Sequence, residues 1–485
     1  MTGLLGLDLG TSSIKGAVVT STGDIIAKST KDIELIKPDS IRVEVDPKKY
    51  RASVFSVIQK LHQKSASEKV QIKALAMAAA SGNSLLTSSN GQAKTPVISW
   101  MDQRMARDRK NHFPHLKDDK IYRIAGWPWN GLFSLAHFKW FLEHQKKAIT
   151  DDTRFAMNND WIYQQLTGKW IVDPSTATTS LLFDQKKGKW SPYLLEQLGI
   201  RTNRLSDLAS CGTSIGTITS AAAAETGLDP ETIAVTGCFD HPGAARGVGI
   251  LDPGEVLFSC GTSWVGFYPL PDRGTGLKAG MLVDPFRSPR GPWAGMTSLP
   301  MMGTTINRIV ESRFPGETLQ DKFLSLNEMF LQGTPRSGTT LIDPMDDTTS
   351  DPVFIKAETE RRGLAWLSDS LMRGSAYAMK RNNSDLRDLG IRSDRFVMAG
   401  GPAESPVWPQ IIADVLEKPV QLAAGKYAGA AGAAVLAGMG IGLFRDEYHA
   451  REIFGSAMLD QKLKPHGELR DFHRREYAAF LKKGR

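Results

Sequence analysis

The chain has 485 residues, 41% of them hydrophobic and 23% charged, a globular composition on a length that exceeds one ordinary core and predicts two domains. Its formal charge of +8 is scattered except at His473-Arg474-Arg475 and Lys482-Lys483-Gly484-Arg485, which reads as a solvated basic face with some pull on anionic nucleotide and sets nucleic acid aside as a partner. Cys211, Cys238 and Cys260 have no Cys-x-x-Cys spacing, no leader pattern opens the sequence and no apolar run approaches ~18 residues, so reduced thiols, no membrane partner and a cytoplasmic location are expected.

Leu4, Leu5, Leu7 and Leu9 predict a buried strand that breaks at Gly10-Thr11-Ser12-Ser13, and Ile14 to Thr20 predicts a second strand, so the turn is a hairpin. Such a turn can wrap anionic oxygens with main-chain N–H groups and hydroxyls, and Lys15 adds positive charge. Asp8 would repel phosphate and makes sense as the partner of a bound cation such as Mg²⁺. Taken alone, the same residues also describe an ordinary Gly-Thr-Ser hairpin. Gly23-Asp24 makes a further turn, and a helix follows from Lys48 to Lys64 with Val54, Phe55, Ile58, Leu61 and His62 near one face, His62 as a structural residue. Ile72 to Leu86 reads as a buried strand ending in small polar residues, where Asn83 is either a turn former or a hydrogen-bonding group. A strand at Pro96 to Ser99 presents Trp100, whose ring can pack on the apolar face of a sugar and leave its N–H for a polar partner. Asp102 and Arg104 read first as a structural ion pair. The aromatic run Gly126-Trp127-Pro128-Trp129-Asn130 and the helix Leu135 to Phe141 read as core, while Asp160, Asp173 and Asp184 sit where turns need caps.

Gly212-Thr213-Ser214-Ile215-Gly216 fits the Gly-x-Ser-x-Gly of a hydrolase elbow, but Leu208 to Cys211 is a poor strand and Thr217 to Thr219 continues extended, so a hydrolase is set aside. A short strand ends at Thr236, Gly237 lets the backbone turn, and Asp240 stands at the mouth of a small-residue helix, either as a reacting acid or as that helix's N-cap. Asp252-Pro253-Gly254-Glu255 marks a domain boundary. Val256 to Trp264 then repeats the opening pattern, an apolar strand running into Gly261-Thr262-Ser263. Pro269 to Gly295 reads as an irregular insertion or lid, and Met296 to Gly303 enters a helix through Ile309. A strand from Arg395 runs into Gly400-Gly401, then into a helix with Trp408, Ile411, Ile412 and Val415 on one face. Gly429 to Gly442 is a small-residue helix suited to an interdomain hinge, and Leu469 to Leu481 a basic amphipathic docking helix.

The two strand-to-Gly-Thr-Ser turns, Trp100-x-Asp102-x-Arg104, Gly237-x-x-Asp240 with its glycine-rich run, and Gly400-Gly401 followed by Gln410-x-x-Ala413-Asp414 resemble the FGGY family of carbohydrate kinases almost end to end. That family lies within the actin/hexokinase/Hsp70-like ATPase superfamily. The resemblance implies an α/β fold of two ribonuclease H-like domains with an interdomain cleft. Residues 1–250 would carry the sugar site, the first phosphate turn and the catalytic acid, and residues 251–485 the second phosphate turn, the adenosine site and the docking tail. It implies ATP and Mg²⁺ as cofactors and transfer of the γ-phosphoryl group to a hydroxyl of a small sugar or polyol, a ketose first, with hinge closure excluding water. Asp240 would be the base and touch the sugar beside Asn83 and Trp100, with Asp8 on the metal. Gly10, Thr11, Ser12, Lys15, Gly261, Thr262, Gly303, Gly400, Gly401 and Ser405 would hold the nucleotide. A homodimer is the candidate assembly.

Some residues depart from the family pattern. Ala79 to Asn83 replaces the Gly-Gln-Met-His-Gly of xylulokinase-like enzymes and the Asn-Gln-Arg-Glu-Thr of glycerol kinases, and Trp366, Arg373 and Pro402 stand where smaller or acidic residues are usual. A divergent branch is expected. A non-transferring nucleotide sensor or chaperone-like ATPase is the alternative, distinguished by having no need of Asp240 beside a sugar-sized pocket.

Overall fold

The computed structural model describes residues 1–80, 82–106, 112–287, 292–333, 341–454 and 458–483. Ser81, residues 288–291 of the expected insertion, residues 339–340 and the last two residues of the basic tail lie outside them. Contacts divide the chain into two units. The first contains Met1–Leu251, Leu270–Gly295 and Tyr427–Met458; the second contains Asp252–Pro269, Met296–Lys426 and Leu459–Arg485.

In the first unit the opening strand, Thr2–Leu9, pairs antiparallel with Ser13–Thr20 and parallel with Gln71–Ala79. The seven-stranded sheet runs in the order Ser214–Thr217, Ile233–Val235, Gln71–Ala79, Thr2–Leu9, Ser13–Thr20, Ile25–Asp32, with Cys238–Phe239 also pairing Gln71–Ala79. Its central strands are apolar on both faces because both are covered. Leu5, Leu7 and Leu9 meet Val54, Ile58 and Leu61 of the helix Pro47–Ser67 on one side. Leu4, Ala76 and Ala78 meet Ala433, Ala434 and Ala437 of the helix Ala428–Gly440 on the other. The first helix starts where expected because the Asp46 carboxylate accepts the N–H groups of Lys48 and Lys49 and Pro47 occupies its first turn.

The single strand expected from Ile72 to Leu86 is two. Gly82, at φ +73°, turns the chain after Ala79, and Ser84–Thr87 joins a separate four-stranded sheet with Glu44–Val45, Val97–Ile98 and Arg154–Met157. The Gly-x-Ser-x-Gly run forms no elbow, since Ser214 begins a strand antiparallel to Ile233–Val235. The small-residue helix Ala428–Gly440 is buried within the first unit. A Cβ on Gly6 would lie 1.7 Å from the Ala430 carbonyl oxygen, and one on Gly432 1.8 Å from that of Gly243. Main chain therefore packs on main chain there. The span read as irregular contains a helix, Arg273–Lys278, and a strand, Leu282–Asp284.

In the second unit the strand Gly254–Cys260 pairs antiparallel with Trp264–Leu270 and parallel with Ser393–Gly400, and the sheet continues through Val420–Ala423 to Leu459–Leu463. Helix Met302–Arg313 starts later than expected because residues up to Leu299 are strand. The long helix Leu364–Asp388 packs against Leu319–Gln332 and Trp408–Leu416. The terminal helix, Arg470–Lys483, docks within this unit: His473 Nδ1 lies 3.0 Å from the Tyr377 hydroxyl, and Arg474 pairs with Glu417 at 2.7 Å. No helix among the described residues is long and apolar enough to cross a membrane.

Candidate active site

Register brings the acids of the first unit together. Strand Gln71–Ala79 carries Leu9 on one side and Phe239 on the other, both opposite Ala79. Asp8 and Asp240 therefore stand at the same carboxyl end of the sheet, the edge where parallel α/β sheets hold ligands. Asp240 is the first residue of the helix Asp240–Gly247, whose N-cap position is Phe239, and its Oδ1 accepts the N–H of His241 at 2.7 Å. It is thus not the N-cap aspartate that the sequence left open. Burial, opposed by His241 and Lys15, holds its carboxyl above the usual carboxylate range, though its side chain keeps 30% of its surface open. Asp8 is pushed up to about 6, first by burial, with Lys15 lowering and Asp240 raising it. Lys15 lies directly opposite Asp8 across the hairpin. Glycine at 429 leaves room for this acid, since a Cβ there would come within 2.9 Å of the Asp8 carboxyl.

Beside the acids the Gly10-Thr11-Ser12 turn is open, with Ser12 exposed and Gly10 and Thr11 partly so. The Trp100 indole N–H donates to Thr11 Oγ1 at 2.7 Å, tying the tryptophan to the turn. Asn83 is buried. Its Oδ1 accepts the Trp100 backbone N–H at 3.1 Å, so the side chain orients Trp100. Arg104 spans Asp102 at 2.7 Å and Glu44 at 2.5 Å under the Trp140 ring, the structural ion pair expected. His137 is fully buried near the Ser84 hydroxyl and is pushed down to about 3 by burial, which leaves it neutral. Trp127 is core, edge-on to Phe133 and Phe239.

The second unit holds a cavity of about 490 Å³. Gly261, Gly303, Gly401 and Ser405, all expected at the nucleotide, line it, while Thr262 and Gly400 do not. Gly400 acts from behind. At φ +98° a Cβ would meet the Cys260 carbonyl oxygen at 2.3 Å, so only glycine lets the strand end against this turn. A Cβ on Gly303 would lie 1.9 Å from the Gly261 carbonyl oxygen, which seats the helix Met302–Arg313 directly on the Gly-Thr-Ser turn. Sequence reading missed one wall, Gln320, Phe323, Leu324 and Asn327 of the helix Leu319–Gln332. The signal available was a capping box, Thr318 with Asp321, ahead of an amphipathic run. Ser405 accepts the backbone N–H groups of Val407 and Trp408 and donates to Asn327 Oδ1 at 2.7 Å, so the asparagine amide nitrogen is its remaining donor.

The first unit thus carries two acids at a sheet edge beside an open Gly-Thr-Ser turn, and the second a cavity beside another such turn. The family model described as the FGGY family of carbohydrate kinases, N-terminal domain, matches residues 4–247, and that for the C-terminal domain matches residues 340–441. The chain belongs to the FGGY family of carbohydrate kinases. Among curated proteins, this kinase is similar to the autoinducer-2 kinase of Enterobacter sp. (strain 638), 26% identical over 469 residues, covering 92% of this chain and 87% of that protein. It is equally similar to the autoinducer-2 kinase of Yersinia enterocolitica, 26% identical over 91% of this chain and 87% of the other. Among solved structures its fold is that of a xylulose kinase from Rhodospirillum rubrum, at a TM-score of 0.85 and 20% identity over 99% of this chain and 98% of that one. A Plasmodium falciparum glycerol kinase with ADP matches at a TM-score of 0.84 and 16% identity, over 100% of this chain and 98% of that one. The carbohydrate kinase therefore has the two-domain actin-like architecture, and it phosphorylates a sugar-like acceptor.

Proposed function

We propose that this kinase transfers the γ-phosphoryl group of ATP to a hydroxyl of a small ketose, with Asp240 as the proton acceptor. The observation that carries the reading is Asp240 at the helix mouth, partly open and held above the usual carboxylate range beside Asp8 and Lys15. A base whose pKa has been raised accepts a proton more readily, while the charges of His241 and Lys15 oppose that shift. The acceptor oxygen forms its bond to phosphorus as the bond from phosphorus to the β–γ bridging oxygen breaks. The hydroxyl proton passes to the Asp240 carboxylate, and ADP leaves.

Asp8 fits a cation. Burial, opposed by Lys15 and reinforced by Asp240, lifts its carboxyl to about 6, and a divalent ion beside it would restore the charged form. Among the described residues no group of three or more His, Cys, Asp or Glu is gathered to cage a metal, which suits Mg²⁺, usually held by one or two carboxylates together with substrate phosphates. The ion would neutralise charge developing on the transferred group. In the first unit Gly10, Thr11, Ser12 and Lys15 attend the phosphates, and Trp100, oriented by Asn83, forms sugar wall. In the second, Gly261, Thr262, Gly303, Gly401 and Ser405 attend the nucleotide, with Gly400 supporting the turn.

The test is ADP release by the wild type and Asp240→Asn across xylulose, other ketopentoses, ketohexoses, gluconate, glycerol and autoinducer-2, with the phosphorylated product identified by mass. Stimulation by one ketose that the variant loses supports the reading. A basal rate that no acceptor raises, shared by the variant, overturns it in favour of a nucleotide-dependent switch.

A further inference from the structure

The strand Leu282–Asp284 is fastened to the first unit by its backbone. The Tyr122 hydroxyl donates to Met281 O at 2.7 Å, the Trp127 indole N–H to Val283 O at 3.0 Å and the Gln185 amide to the same oxygen at 2.6 Å. Val283 N–H returns a bond to Gly126 O at 2.9 Å. Held this way, the segment touches both ends of the helix that carries Asp240. At the far end, Arg246 donates to Phe286 O and lies with its guanidinium 4.6 Å from the Phe286 ring. At the near end, Phe239 N–H donates to Ser175 Oγ at 3.2 Å, and Ser175 in turn donates to Asp284 Oδ2 at 2.8 Å.

Ser175 and Asp284 are both fully buried. Ser175 Oγ accepts from the Phe239 N–H and donates to Asp284 Oδ2, linking the buried carboxyl to that backbone group. The chain of bonds starts at the Cys238–Phe239 peptide, whose N–H lies one residue ahead of Asp240. The other carboxylate oxygen, Asp284 Oδ1, is buried without a hydrogen-bond partner. A buried acid half satisfied is costly to keep; its side chain is held by the Ser175 bond and by the charge of Arg246.

We infer that Asp284 is a positioning residue for phosphoryl transfer, fixing through Ser175 the peptide that sets the height of Asp240. The inference rests on Asp240 being the base. A proton acceptor must lie within hydrogen-bond reach of the attacking hydroxyl, and a displacement near 1 Å at such a group costs up to about 10²-fold in rate. The clamp acts on the reacting step.

The experiment compares Asp284→Ala, Asp284→Asn, Ser175→Ala and Asp240→Asn in the full chain, by kcat and KM for ATP and for the ketose, with melting temperatures. Asp284→Ala and Ser175→Ala should each lower kcat about 10–100-fold with KM for ATP within about twofold. Asp284→Asn, whose amide oxygen still accepts from Ser175, should stay within about threefold of wild type. Should Asp284→Ala fail to fold, Ser175→Ala, which deletes one oxygen, decides alone. Wild-type kcat in Ser175→Ala, or equal losses in Asp284→Asn and Asp284→Ala, overturns the clamp while an inactive Asp240→Asn leaves the base in place. Full turnover by Asp240→Asn overturns both.

Discussion

Gly303→Ala probes the nucleotide cavity without altering a charge. A methyl group there would lie 1.9 Å from the Gly261 carbonyl oxygen, against ordinary contact from 3.4 Å. The obstructing atom is main chain of the Gly-Thr-Ser turn, which cannot swing aside as a side-chain tip can, so helix and turn must part by roughly 1.5 Å in a packed interior. Overpacking of this kind costs ~1–3 kcal/mol. Both glycines line the cavity, so the displacement falls on bound nucleotide, and at about 1.36 kcal/mol per tenfold KM for ATP should rise about 5–160-fold. KM for the sugar should stay within about twofold, because Asp240 and Trp100 belong to the other unit. Initial rates against ATP at saturating sugar, beside a melting curve, measure this. An unchanged KM for ATP with an unchanged melting temperature would show that the helix is not seated on the turn. A rise confined to the sugar KM would remove Gly303 from the nucleotide site.

Asp240→Asn should lower kcat ~10²–10⁴-fold, the usual worth of general-base assistance, and the wild-type rate should fall on acidification at a pH above the ordinary aspartate value of 3.8, because burial raises this carboxyl. Trp100→Phe keeps an aromatic wall but deletes the donor to Thr11, so KM for ATP or sugar should rise about fivefold, in line with a net bond of ~1 kcal/mol; isothermal titration with each ligand checks it, and wild-type binding of both would count against the Trp100–Thr11 link. Asp160 is buried and pushed up to about 7. The folded chain holds its proton where the unfolded chain has released it, so its contribution to stability is complete below pH 3.8 and is lost as the pH rises toward 7. Urea midpoints should therefore fall between pH 5 and pH 8, and Asp160→Asn, which can still bond Met157 N–H and the Ser206 hydroxyl, should flatten that slope; an equal slope in the variant would refute the assignment.

Local pattern made the fold readable where burial and chemistry coincide. The Leu4 to Leu9 run and its Gly-Thr-Ser turn specify a hairpin, Asp46-Pro47 specifies a helix start, and the same strand-to-glycine pattern marks the second turn. The break at Gly82 was hidden because Ala79, Ala80 and Ser84 are as small and buried as a continuous strand would require. The strand Leu282–Asp284 was hidden for another reason. Its partners, Tyr122, Trp127 and Gln185, are distant in sequence and act on its carbonyls, which leave no side-chain signature. The helix Leu319–Gln332 escaped because its signal, the Thr318–Asp321 capping box ahead of an amphipathic run, marks a helix start and no chemistry, although its apolar face supplies one cavity wall. At the site, residue types at turn spacing announced Asp8, Asp240 and the paired glycines, whereas Asn83 and Ser405 act through partners, Trp100 and Asn327, that spacing does not name.

Main chain rather than side chain fixes the candidate site. Gly6 lies on Ala430, Gly237 on Met77 and Gly247 on Ala428 in the first unit, and Gly303 on Gly261 and Gly400 on Cys260 in the second, each so close that a Cβ would overlap a carbonyl oxygen. Backbone-on-backbone contact has no rotamers to lose and no slack, so the turns and the start of the Asp240 helix are set by secondary structure itself. The wall from Ala79 to Asn83 is different. Its residues are small, and Asn83 is committed to Trp100. The departures from the family pattern at Ala79 to Asn83 therefore fall where side chains set the structure, apart from the main-chain contacts that set the turns and the start of the Asp240 helix.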